Sequence, residues 1–483
     1  MPMRLAELEE RIRRESPYNE YPGRPWVIGR KNGTGHVFDV VIIGGGQSGL
    51  AAAYGLMRER VLNLVVLDRS PKGLEGPWLT FARMNTLRTP KLGTGLDFGN
   101  PGLTPQAWYT AKYGTDAWAA MGKMPRAIWQ EYLCWYREVL RIPVENGVAV
   151  TDIHPEEELL VLCTAGGLGY RARKVVLATG LDGSGRWYVP PVAKGLPEDC
   201  YAHTDSPLDF RSLAGKRVGV LGGGASGFDN AAMALEHGAA SVDLCMRIAE
   251  FPKVNPYKWI EFAGFLGHYF ELPDEKRWRF MRQVARMNQP PPQETLWRCT
   301  RHANFTLRTS AQWETAVHDG EAINVDTTLG RMRFDFLIFA TGLTSDLPAR
   351  EELGSIAEHV ALWGDRYAPP VDDRDDGLAR APYLGPGFEL QEKHPGSAPW
   401  LRHIHAYNHG ATLSMGLSAA SITGMKYGIR RLVDGVVRGL FIDDANTLFE
   451  QLAAYSEPEI TSLGPPPEGA DALPPPTNAP ART

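Results

Sequence analysis

The chain has 483 residues, 43% of them apolar and 22% charged, which is ordinary globular composition and length for roughly two or three domains. Its 51 Lys and Arg nearly balance 56 Asp and Glu, and a net charge of −5 gives no bulk field that would draw it to nucleic acid or anionic lipid. Five scattered cysteines (Cys134, Cys163, Cys200, Cys245, Cys299) make no CxxC and no paired Cys/His spacing, which excludes a redox dithiol and structural zinc and fits a reducing cytoplasm.

Residues Met1 to Arg14 are charged with Leu5, Leu8 and Ile12 at heptad-like spacing, so residues 1–36 read as an N-terminal helical extension rather than a signal peptide. No run reaches the ~20 apolar residues of a spanning helix, so no integral membrane segment is expected. Phe38 to Ile43 is a β-branched strand that runs into Gly44-Gly45-Gly46-Gln47-Ser48-Gly49. A helix over Gln47 to Arg60 and a strand over Leu62 to Leu67, ending at Asp68, complete a βαβ unit. The same events recur at Arg217 to Leu221, Gly222-Gly223-Gly224-Ala225-Ser226-Gly227, a helix over Ala225 to His237 and a strand over Ser241 to Cys245. One GxGxxG is weak evidence, but two in the correct local context point to two dinucleotides on one polypeptide.

Two further strands, Val175 to Leu177 and Asp335 to Phe339, each run into Ala-Thr-Gly, at Ala178-Thr179-Gly180 and Ala340-Thr341-Gly342. The duplication predicts an α/β, two-dinucleotide-binding-domain flavoprotein: a discontinuous FAD domain over 37–182 and 342–445, and an inserted NADPH domain over 183–341. Within the insert, about 251–308 is aromatic and helical, read as core or as a substrate-pocket wall. A Pro-rich, disordered tail is expected over 464–483.

Gly44, Gly46, Ser48 and Gly49, with Gln47, let the backbone approach a pyrophosphate at a helix N-terminus. Asp68, about 20 residues beyond Gly49, is placed for the ribose hydroxyls of FAD, with Arg69 beside it as a further cofactor contact; a solvated strand-end acid is the alternative. Gly222, Gly224, Ala225, Ser226 and Gly227 repeat the phosphate cradle. There the second strand is followed by Arg247 instead of an acid, which suits the 2′-phosphate of NADPH, the alternative being an exposed turn arginine. Thr341 and Gly342 close the second unit as cofactor contacts. Residues Asn408 to Ser418 lead into a long helix ending near Gly435, read either as completing the FAD site or as a dimer or core helix. His403, His405 and His409 lack the spacing and carboxylates of a metal site, and no metal is expected.

The motif Gly222-x-Gly224-x-Ser226-Gly227-x-Asp229 resembles the NADP-binding motif of the class B flavoprotein monooxygenases, which include flavin-containing, Baeyer-Villiger and N-hydroxylating enzymes. Gly76-Pro77-Trp78 is similar to their Gly-x-Trp, and Thr86-Leu87-Arg88-Thr89-Pro90-Lys91 with Asp97-Phe98 resembles the segment bordering their isoalloxazine, so the likeness covers about residues 37–440. The resemblance implies flavin contacts at Trp78, Thr86, Leu87 and Thr89. It departs from the family at Pro90, where flavin-containing monooxygenases place Asn, and at the linker motif, whose histidine corresponds to His203 but whose Phe and Gly are Pro197 and Asp199. Arg88 and Lys91 are the candidate catalytic cations near the flavin, with a surface or flavin-phosphate role as the alternative. The implied activity is NADPH-dependent oxygen insertion into a small organic substrate via a C4a-peroxyflavin, by N- or S-oxygenation or Baeyer-Villiger oxidation, with O2 as co-substrate, in a cytoplasmic enzyme that is a candidate homodimer. The alternatives are an NADPH-flavin oxidoreductase passing electrons to a partner or quinone, and a redox sensor that holds both nucleotides without turnover.

Overall fold

The β-branched run Val37–Ile43 forms the buried centre of a sheet, flanked in parallel by Leu64–Asp68 and by Gly169–Leu177. The computed structural model describes residues 4–19, 22–30, 35–93, 95–419 and 421–464. Strand Val144–Asn146 adds to the outer edge of Leu64–Asp68. The free edge of Gly169–Leu177 is divided between two partners. Its first half pairs antiparallel with the hairpin Val150–Glu156/Leu159–Thr164, and its second half pairs in parallel with Ile404–Ala406. The chain therefore returns to its first sheet after more than two hundred intervening residues, and both faces are covered as parallel strands require.

Those intervening residues build a second sheet of five parallel strands, in the order Phe305–Arg308, Ser241–Cys245, Arg217–Leu221, Phe336–Phe339 and Tyr201–His203. An antiparallel meander over Trp313–His318, Ile323–Thr327 and Gly330–Phe334 lies in the chain between its strands Phe305–Arg308 and Phe336–Phe339. Where the chain enters and leaves this region, Gly185–Trp187 and Leu343–Ser345 pair antiparallel, so the two crossings are tied to each other.

The aromatic stretch forms four helices, Pro256–Ile260, Ala263–His268, Asp274–Met287 and Gln293–Thr300. Phe265, Tyr269 and Trp278 join a core with Trp363, Leu413 and Leu417, while Trp259 and Phe262 are exposed. At the N-terminus the helix Leu5–Glu15 buries Leu8 and Ile12, as its heptad spacing requires.

Contacts divide the chain into two units, Met1–Leu440 and Phe441–Thr483. Within the second, helix Ala445–Ala454 has no buried residue. The Pro-rich tail lies outside the described residues beyond Gly464. Among the described residues no helix is long and apolar enough to cross a membrane.

Candidate functional site

Both glycine fingerprints close the same way. Gly44 takes φ +107°, and a Cβ there would lie 2.4 Å from the carbonyl oxygen of Ala178. A Cβ on Gly49 would lie 1.8 Å from the Gly44 oxygen, so only glycine lets helix Gln47–Arg58 settle on the strand end. In the second fingerprint Gly222 takes φ +128° and a Cβ there would lie 2.2 Å from the Ala340 oxygen, while a Cβ on Gly227 would lie 2.1 Å from the Gly222 oxygen. The two Ala-Thr-Gly segments are thus the walls on which the two glycine turns rest.

The helices Gln47–Arg58 and Ala225–Glu236 have Gly46 and Gly224 as N-caps, and neither receives a side-chain cap. Their first-turn N–H groups therefore lack the partner that most helix starts have. A Cβ at Gly224 would meet nothing within 4 Å, and one at Gly46 would meet only Gly76, at 3.7 Å. That is space above two uncapped helix starts, the shape a pyrophosphate needs. Ser48 and Ser226 stand in the two first turns, Ala225 is buried beside Ser226, and the Gln47 side-chain Oε1 accepts from Trp129 Nε1 at 3.1 Å.

The strand ends differ. Asp68 is buried, and its carboxylate accepts from Gly45 N at 2.6 Å and Ser70 N at 2.7 Å, which fixes the loop beside the cradle. The neighbouring Arg69 is largely exposed, 3.9 Å from the Asp182 carboxylate. Arg247 is exposed, and no hydrogen bond or ion pair holds its guanidinium among the described residues. Met246 fills the side of that turn instead, its side chain 2.7 Å from where a Gly223 Cβ would be.

The segment Gly76 to Lys91 follows the first βαβ unit in the chain. Trp78 packs edge-on to Trp129 at 6.3 Å, and its Nε1 is buried without a partner, a donor free for a bound group. Leu87 is buried and donates its N–H to Met124 O at 2.8 Å; Thr86 bridges to Pro125, and the Thr89 methyl packs over Gly93. The two cations are engaged elsewhere. Lys91 Nζ donates to Trp118 O at 2.7 Å and Met121 O at 2.5 Å and lies over the Trp118 ring, so it finishes the short helix Thr115–Ala120. Arg88 Nη2 donates to Asp229 Oδ2 at 3.1 Å, crossing to the helix behind the second fingerprint.

Asp229 is a residue the motif names but whose task sequence reasoning left open. It is buried, accepts from Thr295 Oγ1 at 3.2 Å and lies 3.6 Å from Arg298, which Glu236 grips with two bonds of 2.8 Å. Burial raises the Asp229 pKa despite the opposing pull of Arg88 and Arg298. Alongside, Arg83 reaches Ser206 O at 3.2 Å, and burial lowers its pKa with help from Arg126.

At the far wall, Asn408 Nδ2 donates to Thr179 Oγ1 and Gly183 O, both at 3.2 Å, and its Oδ1 accepts from Gly410 N at 2.9 Å. Thr341 Oγ1 donates to Tyr188 O, and Gly342, at φ +79°, accepts from Tyr188 N at 2.9 Å, so these two residues also hold the crossing between the sheets. His203 ends the outermost strand of the second sheet. Its ring lies 5.3 Å from Trp187, its Nδ1 is 2.9 Å from Asp205 Oδ1, and its Nε2 is buried with no partner.

Helix Ile422–Asp443 runs past Gly435, which is a packing site rather than a stop: a Cβ there would lie 2.6 Å from the Gly387 Cα. Gly424 and Gly428 similarly receive the carbonyls of Leu417 and Ser418. All five cysteines are free.

The open cradles, the orphaned Trp78 donor and the uncapped helix starts fit two dinucleotides. A family profile described as pyridine nucleotide-disulphide oxidoreductase matches residues 41–262. The chain is 43% identical to the FAD-dependent urate hydroxylase of Xanthomonas campestris over 471 residues, 97% of this chain and 100% of that protein. It is 30% identical to the L-lysine N6-monooxygenase of Escherichia coli over 148 residues, 30% of this chain and 32% of that protein. The ornithine hydroxylase of Pseudomonas aeruginosa superposes with a TM-score of 0.66 at 16% identity, covering 84% of this chain and 100% of that one, a likeness of fold.

Proposed function

The chain belongs to the class B flavoprotein monooxygenases, and from that premise we propose that it hydroxylates urate or a closely related oxidised purine, using FAD, NADPH and O2. The observation that carries the substrate class is identity of 43% along the whole of a urate hydroxylase. This narrows the amine, sulfide and ketone expectation to a planar, anionic heterocycle. In this reading residues 37–182 and 342–445 hold FAD and residues 183–341 hold NADPH, in a soluble cytoplasmic enzyme.

Gly44, Gly46, Ser48 and Gly49 take the FAD pyrophosphate on the first turn of Gln47–Arg58, and Asp68 offers its remaining lone pairs to the ribose. Trp78, Thr86, Leu87 and Thr89 border the flavin. Gly222, Gly224, Ala225, Ser226 and Gly227 take the NADPH pyrophosphate, and the unpaired Arg247 takes the 2′-phosphate. FAD, once reduced by NADPH, would activate O2, which is the source of the oxygen atom transferred. The protein's part is to bind, orient and exclude water. Arg88 aligns the flavin-bordering segment with the NADPH helix through Asp229, and Lys91 holds that segment's far end.

Urate, O2, NADPH and a proton would yield hydroxylated urate, NADP+ and water. The test follows NADPH oxidation with urate, lysine, ornithine, a sulfide and a ketone, with product mass under labelled O2. Urate is expected to give stoichiometric NADPH loss and one labelled oxygen in the product. Turnover of an amine but not urate would overturn the substrate, and NADPH loss without label in any product would overturn oxygen insertion.

A further inference from the structure

The hairpin Val150–Glu156/Leu159–Thr164 turns one face to the core, where Ile153, Leu160 and Leu162 are buried. Its other face carries Asp152, His154 and Cys163, all half-buried. Directly opposed residues of an antiparallel pair share a face, as do residues two apart on one strand. Asp152 opposes Cys163 only because the register slips by one residue after Val150, which opposes Thr164. Without that slip Asp152 would stand opposite Leu162, on the core face. Bulges of this kind re-aim a side chain and gather next to functional sites.

The slip brings one imidazole nitrogen, one carboxylate oxygen and one sulfur within 4.8 Å of one another. His154 Nδ1 lies 2.6 Å from Asp152 Oδ2, and the other carboxylate oxygen accepts from Ser355 Oγ at 2.6 Å. Among the described residues no hydrogen bond engages the Cys163 thiol.

We propose that Asp152, His154 and Cys163 bind one zinc ion, with water in the fourth position. Thiolate, imidazole and carboxylate are the donors zinc takes, at about 2.3, 2.0 and 2.1 Å. Donors around a tetrahedral zinc stand roughly 3.3 to 3.8 Å apart, so the trio has to adjust by about an ångström, which side-chain rotation supplies. Zinc enters between Nδ1 and Oδ2 while the imidazole keeps its proton on Nε2, and the Cys163 proton is released to solvent. Ser355 holds the oxygen of Asp152 that does not ligate, as the outer partners of metal ligands do. Magnesium and calcium prefer oxygen donors and suit a thiolate poorly. In the sequence eight residues separate His154 from Cys163, which is no zinc-finger spacing; the turn at Glu157 and Glu158 and the slipped register bring them together.

The experiment titrates the FAD-bound protein, its thiols reduced, with zinc chloride against a chromophoric chelator, and maps cysteine alkylation by iodoacetamide through peptide mass. One equivalent of zinc is expected to bind. Alkylation of Cys163 is expected to slow roughly tenfold or more, because the bound thiolate is withheld from the reagent, while the half-buried Cys134 and Cys200 react as before. EDTA should restore the rate, and magnesium should leave it unchanged. Cys163→Ser and His154→Gln are each expected to lose the bound equivalent and Ser355→Ala to weaken it about tenfold, with flavin content unchanged. Alkylation of Cys163 at the same rate with and without zinc overturns the proposal, as does a full equivalent retained by Cys163→Ser. The alkylation rate is read on the wild type, so it decides the question even where a variant fails to fold.

Discussion

The two fingerprints share a backbone and differ in charge. In both, the first glycine rests on the alanine carbonyl of an Ala-Thr-Gly segment, and the last rests on the first glycine's own oxygen. At the next strand end the first fingerprint has a buried carboxylate on its glycine loop, whereas the second has an exposed guanidinium with no partner among the described residues. In the proposed assignment the glycines hold a dinucleotide in both sites and the strand end selects which one. On that assignment, duplicated geometry with divergent electrostatics would keep the two nucleotides apart.

The largest expected effect separates the two cradles. Gly49→Val and Gly227→Val drive side chains into backbone oxygens 1.8 and 2.1 Å from a Cβ, each costing about 3 kcal/mol or more. Gly49→Val is expected to purify colourless. Gly227→Val should remain yellow but lose reduction by NADPH, which stopped-flow absorbance reads directly. A yellow Gly49→Val protein would break the assignment of FAD to the first unit.

Acid sensitivity is expected in the first sheet. His405 lies in strand Ile404–Ala406 with its Nδ1 2.7 Å from Gly387 O, and burial lowers its pKa to about 4, against the pull of Glu389 and with Lys174 and Arg438 adding to the lowering. The folded state therefore binds its proton later than the unfolded chain. The stability this neutral ring contributes is complete above the unfolded value near 6.5 and is lost as pH falls towards 4. At about 1.4 kcal/mol per pH unit the loss reaches about 3 kcal/mol. Melting temperature against pH should fall over that window in the wild type and flatten in His405→Gln. Parallel slopes would remove His405 as the cause.

Arg247→Ala sharpens the charge difference itself. Losing one charge-assisted phosphate contact costs about 2 kcal/mol, so KM for NADPH should rise roughly 10- to 100-fold while KM for NADH stays level. Equal changes would show that the guanidinium does not meet the 2′-phosphate.

The glycine devices were legible because each is encoded within about ten residues: a strand, a positive-φ turn, a helix. Strands and helices of both βαβ units accordingly lie within one or two residues of where the pattern puts them. Gly435 misled for the opposite reason. Its contact is with Gly387, far along the chain, and a packing glycine looks locally like a stop. The contacts of Lys91 were illegible for the same reason, since the carbonyls it satisfies lie 27 and 30 residues away. Periodicity reports which face is buried and says nothing about what buries it.

Arg88 and Asp229 are 141 residues apart, and their pairing is one of the contacts that tie the flavin-bordering segment to the helix behind the second fingerprint. Arg88 is over a third exposed, so solvent screens the pair and its loss should cost only about 1 kcal/mol. Because burial has already raised the Asp229 pKa, removing Arg88 raises it further. The folded state carries that penalty above the raised pKa and sheds it as pH falls through it, so Arg88→Ala should look most destabilised at neutral pH and approach wild type in acid. Kinetics then separate two roles. If Arg88 aligns the units, Arg88→Ala and Asp229→Asn should slow flavin reduction by NADPH equally, the double variant should be no slower, and Arg88→Lys should recover part of the rate. If Arg88 instead acts on oxygen transfer at the flavin, only its own substitution will slow product formation after reduction, and the junction between the two units will have been assigned to the wrong residue.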